Sequence, residues 1–380
     1  MTPLAPPGDI PVLADRVWLY TGAEGPPLAA QDEALRRYLA NRGRGEAGRA
    51  AHAEVEQRLR GRLAALLGLP APDIALVSNA SEALNLVARS LRTRAGDNVV
   101  VNDLEYPSVV QPWLRLAEQG VEVRVARHAG VSLPAESLAG LVDERTRAVA
   151  VSHVSYQSGW RHDVAAIAAA AHRVGAAVVL DATQSLGVVP VPAGLADVVV
   201  ASSYKWMLGG HGLGVLAWNT ARRPLPQPPA VGWRSVGNLF ADDRFERYHL
   251  HADARRFEVG FPAYPTIYAL DAALAWLAGF PPADVERHVV SLSGRLVGEL
   301  SARGWDLLTP DDPARRAGNV AVRSAAGEEL ARVLATRGIH CWGGDGRLRA
   351  SVHLFNGDAD VDALLDALDS LPADLGPRKV

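Results

Sequence analysis

The stretch Ala177-Val178-Val179-Leu180-Asp181-Ala182-Thr183-Gln184-Ser185, with its echo Val198-Val199-Val200-Ala201-Ser202-Ser203-Tyr204-Lys205-Trp206, decides the fold. Each half is a short run of apolar, largely β-branched residues that stops at a polar turn. Such runs, without polar alternation, read as strands buried on both faces of a parallel sheet.

Outward from this pair the same grammar repeats. Residues 74–77, 98–101, 121–125 and 148–151 are further strand-like runs, and 54–67 and 82–91 have helical spacing. The apolar stretch 164–180 is interrupted by His172 and Arg173, so it divides into a helix, a turn at Gly175 and a strand rather than forming a membrane span. Alternating strands and helices from about 55 to 220 predict an open α/β fold with a mostly parallel sheet. Residues 220–262 are irregular, with Pro224, Pro226, Pro228 and Pro229. Helices at 267–278, 284–303, 328–337 and 358–371, with strands at 319–323 and 347–354, predict a compact α+β unit. The expected division is a large domain over 15–262 and a smaller C-terminal domain over 263–380, joined by 1–14.

Composition narrows the function. The 380 residues are 48% apolar and 21% charged, which excludes a mostly disordered chain. Lys+Arg is 39 against Asp+Glu 42, a net charge of −3, so no basic excess points to nucleic acid or an anionic membrane. The single cysteine, Cys341, excludes an intrachain disulfide and a cysteine-rich metal site, and no metal is expected. The N-terminus lacks the basic start and apolar core of a signal peptide, so a cytoplasmic location is expected.

Three polar stretches carry the chemistry. Asp181 follows a buried strand, at the edge where open α/β sheets bind ligands; alone it reads equally as a loop or cap residue. Lys205 follows the next strand, and a partly desolvated lysine has a lowered pKa and can form a Schiff base; a snorkelling surface lysine is the bland alternative. The run Gly209-Gly210-His211-Gly212-Leu213-Gly214 lacks the strand–GxGxxG–helix order of a dinucleotide site. In Ser78-Asn79-Ala80-Ser81-Glu82-Ala83, Ser81 is a candidate N-cap and Glu82 suits the first turn. Free N–H groups at such a helix start bind phosphate.

Together these residues resemble the class V aminotransferase branch of fold-type I pyridoxal 5′-phosphate (PLP) enzymes. That branch includes cysteine desulfurases, selenocysteine lyases, isopenicillin-N-epimerase-like proteins, kynureninases and the ergothioneine-pathway C–S lyase. The resemblance runs from Leu19-Tyr20 to Asn356, and the spacing Asp181-x-x-Gln184 … Ser202-x-x-Lys205 is its specific part. It implies that Lys205 holds PLP as the internal aldimine and then moves the substrate α-proton. Asp181 would pair with the pyridinium nitrogen, keeping the ring an electron sink. Gln184 would hydrogen-bond the phenolic oxygen. The backbone of Ala80, with Ser81 and Ser202, would cradle the phosphate. Tyr204 stands before the lysine, where desulfurases often have His.

The resemblance continues through Glu105-Tyr106-Pro107-Ser108, which makes Tyr106 the ring that stacks on the cofactor and completes a catalytic set with Lys205 and Asp181. His153-Val154-Ser155-Tyr156-Gln157-Ser158-Gly159 matches the loop between cofactor and substrate, with Tyr156 on the substrate side and His153 as a satisfied buried histidine. In Arg349-Ala350-Ser351-Val352-His353-Leu354-Phe355-Asn356, Arg349 would grip the substrate α-carboxylate bidentately, with Arg347 as its competitor. Arg256-Phe257-Glu258-Val259-Gly260-Phe261-Pro262 resembles the segment that crosses a homodimer interface to the partner's phosphate. Many relatives have Thr where this chain has Phe261, and Tyr264 or Thr266 are the substitutes.

PLP labilises any of three bonds at Cα, so fold does not choose the reaction. Desulfurases commonly have His at the Tyr106 position and a long loop bearing a sulfur-accepting cysteine. Here only seven residues separate Cys341 from Arg349, which disfavours a persulfide-forming desulfurase. The leading expectation is β-elimination at a C–S bond of a small-molecule amino-acid substrate, as in the C–S lyases. An aminotransferase, an epimerase, a cysteine desulfurase and a non-catalytic PLP-binding protein are the alternatives. Trp113, Trp160, Trp206 and Trp233 lie in or beside these motifs and read as pocket or as core. Arg161 and Arg234 read as receptors of a second acidic group or as surface arginines.

Overall fold

The structure, a computed structural model, describes residues 1–372 and 375–377. Its centre is a seven-stranded sheet in the order β2-β8-β7-β6-β5-β3-β4. The strands are β2 (Ile74–Val77), β3 (Asn98–Asn102), β4 (Glu122–Ala126), β5 (Thr146–Ser152), β6 (Ala177–Asp181), β7 (Val198–Ser202) and β8 (Gly214–Trp218). Pairings are parallel from β4 through β7, and β8 is antiparallel to both β7 and β2. The six strands expected from the apolar runs are all present. Strand β8 was not among them, because its apolar run follows a glycine-rich segment that reads as loop.

Every strand except the edge strand β4 buries both faces, as the unbroken apolar runs require. Val77, Val99, Val101, Ala148, Ala150, Val179, Val198 and Val200 pack in one core with α3 (Ala80–Ser90) and α4 (Pro107–Ala117). Their neighbours Leu76, Val100, Val149, Val151, Val178, Leu180 and Val199 pack in the other, with α2 (Glu46–Leu67), α6 (Val164–Arg173) and α7 (Tyr264–Leu277). At about 1.5–3 kcal/mol per fully buried large side chain, these two layers are the main source of stability.

The C-terminal part is a three-stranded antiparallel sheet, with β9 (Asn319–Arg323) and β11 (Trp342–Gly344) flanking β12 (Arg347–Ser351). It is covered by α8 (Pro282–Ala302), α9 (Gly327–Ala335) and α10 (Asp358–Asp369). The N-terminal segment joins it: Leu4 N–H donates to Leu354 O (2.8 Å), and β1 (Val17–Trp18) pairs with β10 (Ile339–His340). The boundary expected at 262/263 falls just before α7, which packs against α1 (Ala29–Arg42) and α2 on the large-sheet side. The segment that joins the small sheet extends past residue 14, to the Tyr20–Ser351 bridge.

Among the described residues, no helix is long and apolar enough to cross a membrane, and no group of three or more His, Cys, Asp or Glu is placed to hold a metal ion.

Candidate active site

Strand register brings the polar turns to one edge. Ser152 is level with Asp181, while Gly214 is level with both Ser202 and Val77, the residue that leads into α3. The start of α3 is capped by Asn79, whose Oδ1 accepts from Glu82 N–H at 2.8 Å, while Glu82 Oε2 accepts from Ser78 N–H at 2.7 Å. This corrects the expectation that Ser81 is the N-cap. Ser81 is a first-turn residue instead, and its hydroxyl lies 2.7 Å from that of Ser108 in the first turn of α4. The N–H groups of Ala80 and Ser81 are left at the helix start without intrahelical acceptors, beside the end of β7.

Asp181 and Lys205 are both buried at this edge. Asp181 accepts from Thr183 N–H at 2.8 Å, and burial raises its carboxyl above the usual range. Among the described residues it has no ion-pair partner within 4.0 Å. Burial, aided by the nearby Arg349 charge, pushes the Lys205 amine down to about 8. Its Nζ lies 5.6 Å from the centre of the Tyr106 ring and 5.7 Å from that of Tyr204, which stacks on His211 at 4.3 Å. Thr183 also accepts from Ser202 N–H at 3.1 Å, tying the two strand ends together.

The orientation of the Gln184 amide is fixed by its neighbours. Its Oε1 accepts from Trp206 Nε1 (2.9 Å) and Asn319 Nδ2 (3.0 Å), and its Nε2 donates to Gly22 O (2.9 Å). Both oxygen lone pairs are used, while one of the two N–H donors has no partner among the described residues. The motif reading found Gln184 but missed Thr183, Asn319, Trp206 and Gly22, which hold it and Asp181. Thr183 and Trp206 sit inside the quoted motifs. Gly22 and Asn319 come from distant segments that only folding brings near.

A second layer faces the first. The Tyr106 ring is half-exposed and meets Tyr156 edge-on at 5.1 Å. Tyr156 O accepts from Arg349 Nη1 at 2.5 Å, and burial with the neighbouring Arg347 charge pushes the Arg349 guanidinium down to about 10. Below Tyr106, Glu105 is buried, accepts from Ser152 N–H (2.8 Å) and Oγ–H, and is raised by burial to about 7.

Several expectations meet a different environment. Burial pushes His153 down to about 3, so it is neutral, but its Nδ1 has no hydrogen-bond partner among the described residues; it is buried without being satisfied. Cys341 is buried between β10 and β11, and its thiol is pushed up to about 12. Arg161 pairs with Glu286 (2.5 Å), and Arg234 pairs with Glu258 (2.8 Å) and Glu56. Trp113 is core, Trp206 is part of the Gln184 network, and Trp233 is exposed against Phe261. Tyr264 donates to Glu56 (2.9 Å) and Thr266 to His211 O (2.6 Å).

These groups fit PLP. The edge offers a buried amine, a buried carboxylate with no cation on it, an unengaged amide N–H and a helix start with free N–H groups. These are donors and acceptors for an aldehyde, a pyridine nitrogen, a phenolic oxygen and a phosphate.

Residues 26–364 match the aminotransferase class-V family. A probable cysteine desulfurase of Methanothermobacter thermautotrophicus is 31% identical over 96% of each chain. A cysteine desulfurase of Pectobacterium atrosepticum is 33% identical over 80% of this chain and 79% of its own. Among solved structures, the apo cysteine desulfurase of Thermococcus onnurineus superposes with a TM-score of 0.87 at 24% identity, covering 97% of this chain and 98% of that one. The cystine C–S lyase C-DES, in complex with its product cysteine persulfide, superposes with a TM-score of 0.86 at 24% identity, covering 97% and 100%. The two superpositions show a shared fold.

Proposed function

This chain belongs to the aminotransferase class-V family and is a PLP-dependent enzyme, and on that premise we propose that it cleaves a C–S bond of an amino acid by β-elimination. PLP, when bound, supplies the electron sink that weakens the bonds at the substrate Cα. The remaining work falls to the side chains. The Lys205 amine, with its pKa lowered to about 8, takes up and returns a proton at Nζ near neutral pH. Asp181 presents a carboxylate at the buried end of the site, where a positive charge on the cofactor's ring nitrogen offsets its desolvation. The free N–H of Gln184 is available to a phenolic oxygen, and the N–H groups of Ala80 and Ser81 with the Ser202 hydroxyl are available to a phosphate. Arg349 binds the α-carboxylate, Tyr106 covers the cofactor, Tyr204 flanks Lys205, and Tyr156 orients Arg349 through its carbonyl.

One observation favours a lyase over a desulfurase. A sulfur acceptor must be an accessible thiolate, and the one cysteine of the chain is buried with its thiol raised to about 12. Sulfur therefore leaves with the product instead of passing to the protein. The curated relatives named as desulfurases support C–S chemistry at this site, and Cys341 argues against their persulfide step.

The exposed aromatic side chains of Trp233, Phe240, Phe245 and Phe261 favour a homodimer, with a second copy of the chain as partner. Sedimentation of the holoenzyme as a monomer at micromolar concentration would remove this part of the reading.

The test is turnover of S-substituted cysteines by purified protein with PLP and no added keto acid. Keto acid and thiol accumulating over many turnovers support the lyase. Conversion that stops after one equivalent and resumes on adding a keto acid makes the enzyme an aminotransferase. Sulfur recovered on Cys341 makes it a desulfurase.

A further inference from the structure

Two arginines, not one, face the substrate side of the site. Arg347, Arg349 and Ser351 project from one face of β12, while Leu348 and Ala350 enter the core from the other. Both guanidinium groups lie against the same indole, each Cζ 5.1 Å from the Trp342 ring centre, so they stand at most about twice that distance apart. Arg347 is also 5.1 Å from the Tyr156 ring. Tyr156 in turn meets Tyr106, whose ring is 5.6 Å from Lys205 Nζ.

The pair is short of counter-charge. Arg347 engages only through Nη1, with Asp345 O at 3.2 Å and Oδ2 at 2.9 Å, and that aspartate is 67% exposed. Arg347 Nε and Nη2 and Arg349 Nε are buried and have no partner among the described residues. Arg323, opposite Arg347 on β9, is already paired with Asp306 (2.9 Å). Buried N–H donors without acceptors are costly unless a ligand meets them, and a guanidinium fork matches a carboxylate. Arg161 and Arg234, the other arginines considered for a second acidic group, are neutralised by carboxylates.

We propose that Arg347 receives a second anion, so that the preferred substrate is an amino acid whose side chain ends in a carboxylate. The proposal rests on the reading of Arg349 as the α-carboxylate receptor and names the substrate class of that site. Because Tyr156 and Trp342 cover the guanidinium, seating the anion and turning the Tyr156 ring aside are one event.

The first test uses cofactor-free protein, with inorganic phosphate saturating the helix-start site, titrated by calorimetry with glutarate and with butyrate. The expected result is glutarate binding about tenfold or more tighter than butyrate, with the preference lost in Arg347→Met and reduced in Arg347→Lys. Equal affinity for the two acids in the wild type overturns the proposal, as does a preference that survives Arg347→Met. The second test compares S-carboxymethylcysteine with S-ethylcysteine on the holoenzyme. Arg347→Met should raise KM about tenfold or more for the acidic substrate alone. A guanidinium that only spaces Tyr156 from Trp342 would change both substrates equally, and that result overturns the proposal. If neither amino acid is cleaved while glutarate preference persists, the lyase reading fails and the anion receptor stands.

Discussion

Asn319, at the start of β9, donates its side-chain N–H to Oε1 of Gln184, beyond the end of β6, across 3.0 Å. The same asparagine accepts from Ser351 Oγ at 2.7 Å, so one buried amide joins the small sheet to the cofactor edge of the large one. Asn319→Ala leaves Gln184 with one donor fewer and the Ser351 hydroxyl without its acceptor. It should cost about 1–3 kcal/mol. A double-mutant cycle with Gln184→Ala should return a coupling of about 0.5–3 kcal/mol in denaturant unfolding. Additivity of the two substitutions would mean that the bond does not link the two parts.

The Lys205 amine must be neutral to attach a carbonyl carbon. With its pKa lowered to about 8, the rate of PLP attachment to cofactor-free protein should rise with pH and level off above about 8, well below an ordinary lysine at 10.5. Stopped-flow absorbance reads this directly. Lys205→Ala should abolish attachment and lower keto-acid release by about 10²–10⁴-fold, the usual contribution of a positioned acid–base group.

Glu105 gives stability a pH dependence. Its folded pKa, about 7, lies above the ordinary 4.5, so the folded state holds the proton more tightly than the unfolded chain. Its contribution is fully present below pH 4.5 and is lost as pH rises through about 7. Thermal melts from pH 5 to 8 should therefore show wild type falling relative to Glu105→Gln, by on the order of 1–3 kcal/mol. Parallel melting curves for the two proteins would place the ionisation elsewhere.

Cys341 sits in apolar surroundings, where its neutral thiol is unreactive. Cys341→Ala should leave turnover within about twofold of wild type. An alkylating reagent at pH 8 should label the native protein only as fast as it unfolds. Rapid native labelling, or loss of turnover in the variant, would restore the cysteine as a participant.

Gly214 lets β8 pass the start of α3. A Cβ there would meet the Asn79 backbone and come within 2.8 Å of Ala80 N. Gly214→Ala should cost about 1–3 kcal/mol. If the displaced N–H groups serve the phosphate, as proposed, it should also weaken PLP more than pyridoxal; equal weakening of both ligands would separate this glycine from the phosphate end.

The strand runs, the positions of Asp181 and Lys205 at adjacent strand ends, and the large α/β layer were legible in the chain itself. Burial on both faces demands unbroken apolar runs, and that demand is local. Strand β8 was missed because its apolar run follows a glycine-rich segment that reads as loop, and its antiparallel place between β7 and β2 depends on which neighbours are available. The cap of α3 passed from Ser81 to Asn79 because hydrogen-bond geometry at a helix start is finer than residue type. The arginines show the division most clearly. Sequence offered Arg161 and Arg234 as receptors of a second acidic group or as surface arginines, and Arg349, with Arg347 as its competitor, for the α-carboxylate. Tertiary structure set Glu286 and Glu56 against the first two, from 125 and 178 residues away, and left Nε and Nη2 of Arg347 and Nε of Arg349 without a partner among the described residues. Periodicity is written residue by residue, whereas the charge that neutralises another comes from wherever packing brings the chain together. The sequence by itself therefore determined the sheet and the polar turns that carry Asp181 and Lys205, and the folded chain decided which cations are left without a counter-charge.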